Sequence, residues 1–184
     1  RFWHDWYAAA VEGRPMDPAL LTDIALIPND TWKQGDDKVT ERIRAIYERY
    51  LLLAEVRALK AERDSLRAGM ASAEKRGHNM PPELLDVPPE VSQPVLLIWD
   101  ELDKAEAELE EDAPNPNRLR MVGEAIRDAL IAIARYCGKL SDSFLTGAVK
   151  AAGPPVGIWV VDHFVLNGRL MDLAIRLIQF PAGG

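Results

Sequence analysis

From Lys38 to Lys75 the chain carries no proline, and its only glycine there is Gly69. Proline breaks a helix interior and glycine weakens one, so this stretch restricts the fold more than any other. Apolar residues fall at Val39, Ile43, Ile46, Tyr50 and Leu53, then at Leu52, Val56, Leu59, Leu66 and Met70, with Arg63 in the seam. Steps of three and four are heptad steps, and the stripe changes phase near Leu53. Such a helix spans about 55 Å. One small core does not cover that length. The charged half ("RALKAERDSLRAG") therefore calls for a partner, either the chain's own C-terminal half or a second copy. In the second case Ile46, Tyr50, Val56, Leu59 and Leu66 form the interface.

The flanking segments also read as helices. "RFWHDWYAAAVEG" places Phe2, Trp3, Trp6, Tyr7 and Ala10 at helical spacing and ends at Gly13. In "DPALLTDIALI" Asp17 is a good N-cap, Pro18 stands at the first helical position, and Pro28 stops the run. "NDTWKQGDD" reads as a turn-rich connection, with Asp36 or Asp37 capping the long helix. Prolines at 81, 82, 88, 89 and 94 mark residues 76–94 as a non-helical connector. "VLLIWDELDKAEAELEED" and "RLRMVGEAIRDALIAIARYCGKL", joined at "APNPN" with Asn115 as cap and Pro116 as first helical residue, form an antiparallel helical hairpin. The C-terminal segment predicts a helix from Ser141 or Asp142 to Ala152, a break at Gly153-Pro154-Pro155, a further helix to Leu166, and a last one carrying Leu170, Leu173, Ala174, Leu177 and Ile178. The predicted fold is all-α: a helical bundle with residues 1–75, 76–94 and 95–184 as N-terminal helices, connector and C-terminal region.

Chemistry is hard to place on this pattern. His4, His78 and His163 are far apart, and no HxxxH or HExxH spacing supports a metal. His4 and His163 read as surface residues. Cys137 lies on the apolar stripe of its helix, where a thiol is inert; as the only cysteine it excludes an intrachain disulfide. GxSxG, GxxxxGK[ST] and GxGxxG are absent. The acidic run "DELDKAEAELEED" lacks the loop glycine of a calcium site and reads as a solvated helix face. No cofactor and no metal is expected. The net charge of −7 gives no basic footprint for nucleic acid. Trp3, Trp6 and Tyr7 form a candidate binding patch, because aromatic residues dominate interfaces. The plainer reading packs them on the following helix or on Trp32. Gly147-x-x-x-Ala151 and Gly153-x-x-x-Gly157 permit close helix approach, but the apolar run beside them is too short to span a bilayer.

The chain opens on "RFWHDWY" rather than Met, which suggests a fragment or a C-terminal region of a longer protein. The order "FWHDWYAAAVEGRP", "LLTDIALIPNDTWKQGDDKVTERIRAIYERY", "GHNMPPELL", "IWDELDKAEAELE" and "ARYCGKL" resembles an uncharacterised helical module of alphaproteobacterial proteins. A stretch similar to Phe2–Tyr50 precedes a His-Asn-x-Pro-Pro-Glu element, here His78, Asn79, Pro81, Pro82 and Glu83. The resemblance spans most of the chain. It implies a module toward the C-terminus of longer proteins, with an adaptor, assembly or localisation role and no catalytic residues. The expectation is a non-enzymatic, cytoplasmic protein-interaction or oligomerisation module, with a protein partner or self-association. One rival is docking on a membrane surface through Phe144 to Phe180. A second is an enzyme in which His78 or His163 meets acids in one pocket. Within the connector, His78 and Asn79 are expected to bond the end of the long helix, with Leu84 and Leu85 pinning the strap.

Overall fold

The computed structural model describes residues 2–13, 16–75, 89–139 and 168–181. Among them the fold is all-α, with seven helices and no strand: α1 (Phe2–Val11), α2 (Pro18–Ala25), α3 (Asn29–Lys33), α4 (Asp36–Lys75), α5 (Pro89–Glu110), α6 (Pro116–Lys139) and α7 (Arg169–Ile178). The predicted segments between Ser141 and Leu166, the two small-residue motifs there, His163, and the connector element His78, Asn79, Pro81, Pro82 and Glu83 all lie outside the described residues. So do Leu84 and Leu85.

The phase change near Leu53 is where α4 passes from one core to another. Its first half presents Val39 and Ile43 to Leu20 and Ile27, with Met16, Ile24, Ile46, Tyr47 and Tyr50 around them. Its second half presents Leu52, Val56 and Leu59 to α5, α6 and α7. There Ile98, Leu102, Leu109, Leu119, Ile126 and Leu177 are sealed from solvent. Each such side chain contributes about 1.5–3 kcal/mol by leaving water. Two different partners on one helix need two stripe phases, which explains the slip. Val56 and Leu59, proposed for a second copy, are fully buried inside the chain. The intramolecular alternative takes them. The side chain of Leu66 lies outside the description.

Local signals are met at α2, where the Asp17 carboxylate accepts the Ala19 N–H at 2.8 Å and Pro18 opens the helix. Three boundaries differ from expectation. "NDTWK" forms the five-residue α3, behind Pro28 as its cap. Asp36 and Asp37 lie inside the first turn of α4 rather than at its cap; there their charge favours the positive helix end. The connector also ends earlier than Pro94, because α5 starts at Pro89 and contains Pro94. Pro89 stands at a position that needs no N–H, while Pro94 forfeits the bond to the Glu90 carbonyl and crowds that carbonyl with its ring. Burial of Val91 and Val95, each 2% exposed, offsets that loss.

The turn between α5 and α6 is tied by Glu108, whose carboxylate accepts the Asn115 N–H at 2.6 Å and the Arg118 guanidinium at 3.3 Å. Asn115 in turn accepts the N–H of Asn117 at 3.0 Å. Arg49, from α4, donates to the Leu109 carbonyl at 2.7 Å and closes the end of α5.

Two ladders of opposite charge flank α4. On one flank Arg57, Lys60 and Arg63 meet Glu110, Glu106 and Asp103 of α5. On the other, Glu48 and Glu55 meet Arg176, and Glu62 meets Arg169. In both the numbering runs in opposite directions, so both pairings are antiparallel. Arg57 reaches Glu106 as well as Glu110, and Lys60 reaches Asp103 as well as Glu106, so the α5 ladder selects which faces meet rather than one exact register.

These contacts carry a pH dependence. The Lys60 ammonium holds the Glu106 carboxyl below its ordinary value. Burial pushes Asp103 up, but the bonds from Lys60 and Arg63 outweigh it and leave that carboxyl lowered too. Carboxylates whose folded pKa is lowered give stability that is present above the ordinary carboxylate value and lost as pH falls through the folded one. Thermal melts should therefore hold steady from about pH 7 to 5 and fall below about pH 4. Asp103→Asn with Glu106→Gln should flatten that acid limb. An unchanged limb in the double variant would show that other groups cause it.

Candidate functional site

Helix α1 is turned inside out. Positions 3, 6, 7 and 11 share one face at helical spacing. Trp3 is 55% exposed, Trp6 43%, Tyr7 66% and Val11 67%. Trp3 and Trp6 meet edge to face, with ring centroids 6.3 Å apart. The opposite face carries Asp5, Ala8 and Ala9, which are half-buried. Tyr47 of α4 donates its hydroxyl to Asp5 at 2.9 Å. Small alanines let α1 approach the body, and the large rings are left facing water. The plainer expectation, that the three aromatics pack on the next helix or on Trp32, is not met; Trp32 is itself 50% exposed.

The other segments before α4 also expose apolar side chains. Of eleven large apolar side chains exposed among the described residues, seven lie before α4: Trp3, Trp6, Tyr7, Val11, Leu21, Leu26 and Trp32. Isolated exposed apolar residues are ordinary, but a concentration of them marks an interaction surface.

The aromatic helix is held to the body by a polar latch. Tyr47→Phe removes the hydroxyl that serves Asp5. The loss should be about 1–2 kcal/mol of local rather than global stability. Amide exchange in residues 2–11 should quicken while the core of α5 and α6 stays protected. Equal protection of α1 in both proteins would show that the latch does not hold it. A second tyrosine bond lies one turn along: Tyr50 pairs with Asp17, the cap of α2. That bond to Asp17 pushes the Tyr50 hydroxyl up to about 12, with burial adding to it. The same bond, ahead of the Ala19 N–H, holds the Asp17 carboxyl below its ordinary value.

The remaining candidates scatter. Ile46 is half-buried beside a cleft of about 210 Å³ with Arg42, Arg49 and Phe180. His4 is exposed and stands 3.5 Å from Asp5. The side chain of Cys137 lies outside the description. Among the described residues no group of three or more histidine, cysteine or acidic side chains could hold a metal. No described helix is long and apolar enough to cross a membrane. A groove of about 450 Å³ between α5 and α6 is lined by Glu101, Lys104, Glu108, Arg118 and Met121. Its two buried acids are engaged, Glu101 with Lys104 at 2.6 Å and Glu108 with the turn. Glu108 ties the hairpin turn, and Glu101 pairs along its own helix.

The geometry defines a helical bundle with an outward aromatic helix. No protein-family model, curated protein or solved structure matches the chain.

Proposed function

We propose that this chain is a protein-interaction module and that the outer face of α1 is its docking surface. The inverted polarity of α1 carries this reading. A helix with alanines inward and two tryptophans and a tyrosine outward gains little for its own fold by that choice. Tryptophan and tyrosine are the residues that most often dominate binding energy. Their rings bring large contact area at low entropic cost.

A photo-crosslinking residue placed at Tyr7, in the cell that makes the chain, should give a discrete adduct. The same residue at Asp128, on the outer side of α6, should give none. Adding Trp3→Ala and Trp6→Ala should abolish the adduct while leaving the melting temperature within about 2 °C, since exposed substitutions cost little. No adduct at Tyr7 refutes the reading. An adduct with a second copy of the chain, matched by a dimeric mass in sedimentation, identifies the interaction as self-association.

A further inference from the structure

The charge around α1 narrows the partner. Residues 1–37 hold seven acidic side chains against three basic ones, and so supply −4 of the net −7. Among the described residues of this lobe, Lys33 is spent on Asp30 and Lys38 on Glu41. Asp23, Asp36 and Asp37 are exposed and make no ion pair there, against one exposed cation, Arg44, in the same condition. From Asp37 to Tyr47, where α1 is latched, α4 rises only about 15 Å. A helical segment of about 16 residues spans roughly 24 Å, longer than that rise.

Resting on the docking reading above, we propose that the α1 face takes a basic amphipathic segment of a partner protein. Its apolar side chains lie against Trp3, Trp6 and Tyr7, and its Arg or Lys residues meet the acidic margin. Three forces act together. Aromatic faces attract cations as well as apolar surface. Complementary charge speeds encounter and rejects wrong partners. Apolar anchors at steps of three and four suit a single helix face. A second copy would bring the same acidic margin against itself, and so would an anionic lipid surface; both are disfavoured by repulsion.

The test is selection of peptides of about 16 residues from a random displayed library on the purified chain, a length set against the rise above. Counter-selection uses the Trp3→Ala, Trp6→Ala variant, whose fold is checked by its thermal melt. The enriched sequences should carry two or more Arg or Lys with Leu, Ile or Phe at steps of three and four. Synthetic copies should bind with a saturating shift of tryptophan emission, and added salt should weaken them. The tryptophan variant should lose at least about tenfold in affinity, the size of a hot-spot loss. Asp23→Lys with Asp36→Lys and Asp37→Lys should lose about as much; the melt should fall by a few degrees, since Asp36 and Asp37 favour the start of α4, and stay well above the assay temperature. Acidic or uncharged winners that depend on the tryptophans would overturn the basic-partner inference and leave the docking reading standing. Winners indifferent to the tryptophans, or no winners together with no Tyr7 adduct, would overturn both. A dimer in sedimentation that the tryptophan variant lacks would also overturn the basic-partner inference.

Discussion

Gly123→Ala should lower the melting temperature by about 4–8 °C, although alanine is the better helix former. A Cβ built at Gly123 falls 2.6 Å from the Ala174 carbonyl oxygen, 2.9 Å from Ile178 Cγ1 and 3.1 Å from the Ile178 nitrogen. Two of these three neighbours belong to the backbone of α7, so a rotamer change does not relieve them. The helices must separate, and every side chain between α6 and α7 shifts with them. Overpacking of this kind costs about 1–3 kcal/mol, here at its upper end, while the gain in helix propensity is about 1 kcal/mol. A net loss of about 2 kcal/mol corresponds to the stated drop for a chain of this size. Ala132→Gly, at an exposed site of α6, measures the propensity change alone. Ile178→Ala added to Gly123→Ala should rescue only partly, because the shortest contact is to the carbonyl. A Gly123→Ala protein that melts at or above the parent would show that α6 and α7 do not approach this closely.

The second large effect centres on Arg63. Its side chain is 6% exposed, and it lies where the heptad stripe of α4 calls for an apolar residue. Its guanidinium reaches both Asp103 carboxylate oxygens at 2.9 Å, the Trp99 carbonyl at 3.3 Å and Asp64 at 2.9 Å. Breaking a buried pair by removing one partner costs about 3–5 kcal/mol. Asp103 is half exposed and Asp64 remains, so Asp103→Ala should cost about 2 kcal/mol. Arg63→Met with Asp103→Leu should be near neutral or stabilising, since apolar replacements of buried ion pairs often are. Melts of the singles and the double give the coupling energy directly. A loss below about 0.5 kcal/mol in Asp103→Ala would place this pair with ordinary surface salt bridges.

Much of the fold was legible because local rules and tertiary structure agree. Asp17 and Pro18 mark the start of α2 by capping chemistry that needs no distant partner. The absence of proline from Lys38 to Lys75, with apolar residues at steps of three and four, favours one continuous helix. Asn115 and Pro116 punctuate the hairpin in the same way. Arg63 in the seam was visible as an anomaly, although its partner lies forty residues away and spacing does not reveal it. Gly123 gives no signal in the sequence for the same reason: a glycine inside a helix names no neighbour. Pro89 and Pro94 read locally as connector, yet this stretch is helical, because the assembled core buries Val91 and Val95.

The candidate site divides along that line. Trp3, Trp6 and Tyr7 were recognisable as one aromatic face from spacing alone. Which way that face points was not, because an amphipathic pattern specifies a direction only relative to what it packs against. The sequence by itself determined the course of α1, α2, α4 and α6, the caps at Asp17 and Asn115 and the two phases of the α4 stripe, all consequences of backbone geometry and side-chain period. The tertiary structure alone decided that Val56 and Leu59 are spent inside the chain, that Gly123 lies against the backbone of α7, and that the rings of α1 face outward. Those outcomes depend on contacts between residues far apart in sequence, where small alanines, one Asp–Tyr bond and two charge ladders select among packings that the periodicity alone leaves equivalent.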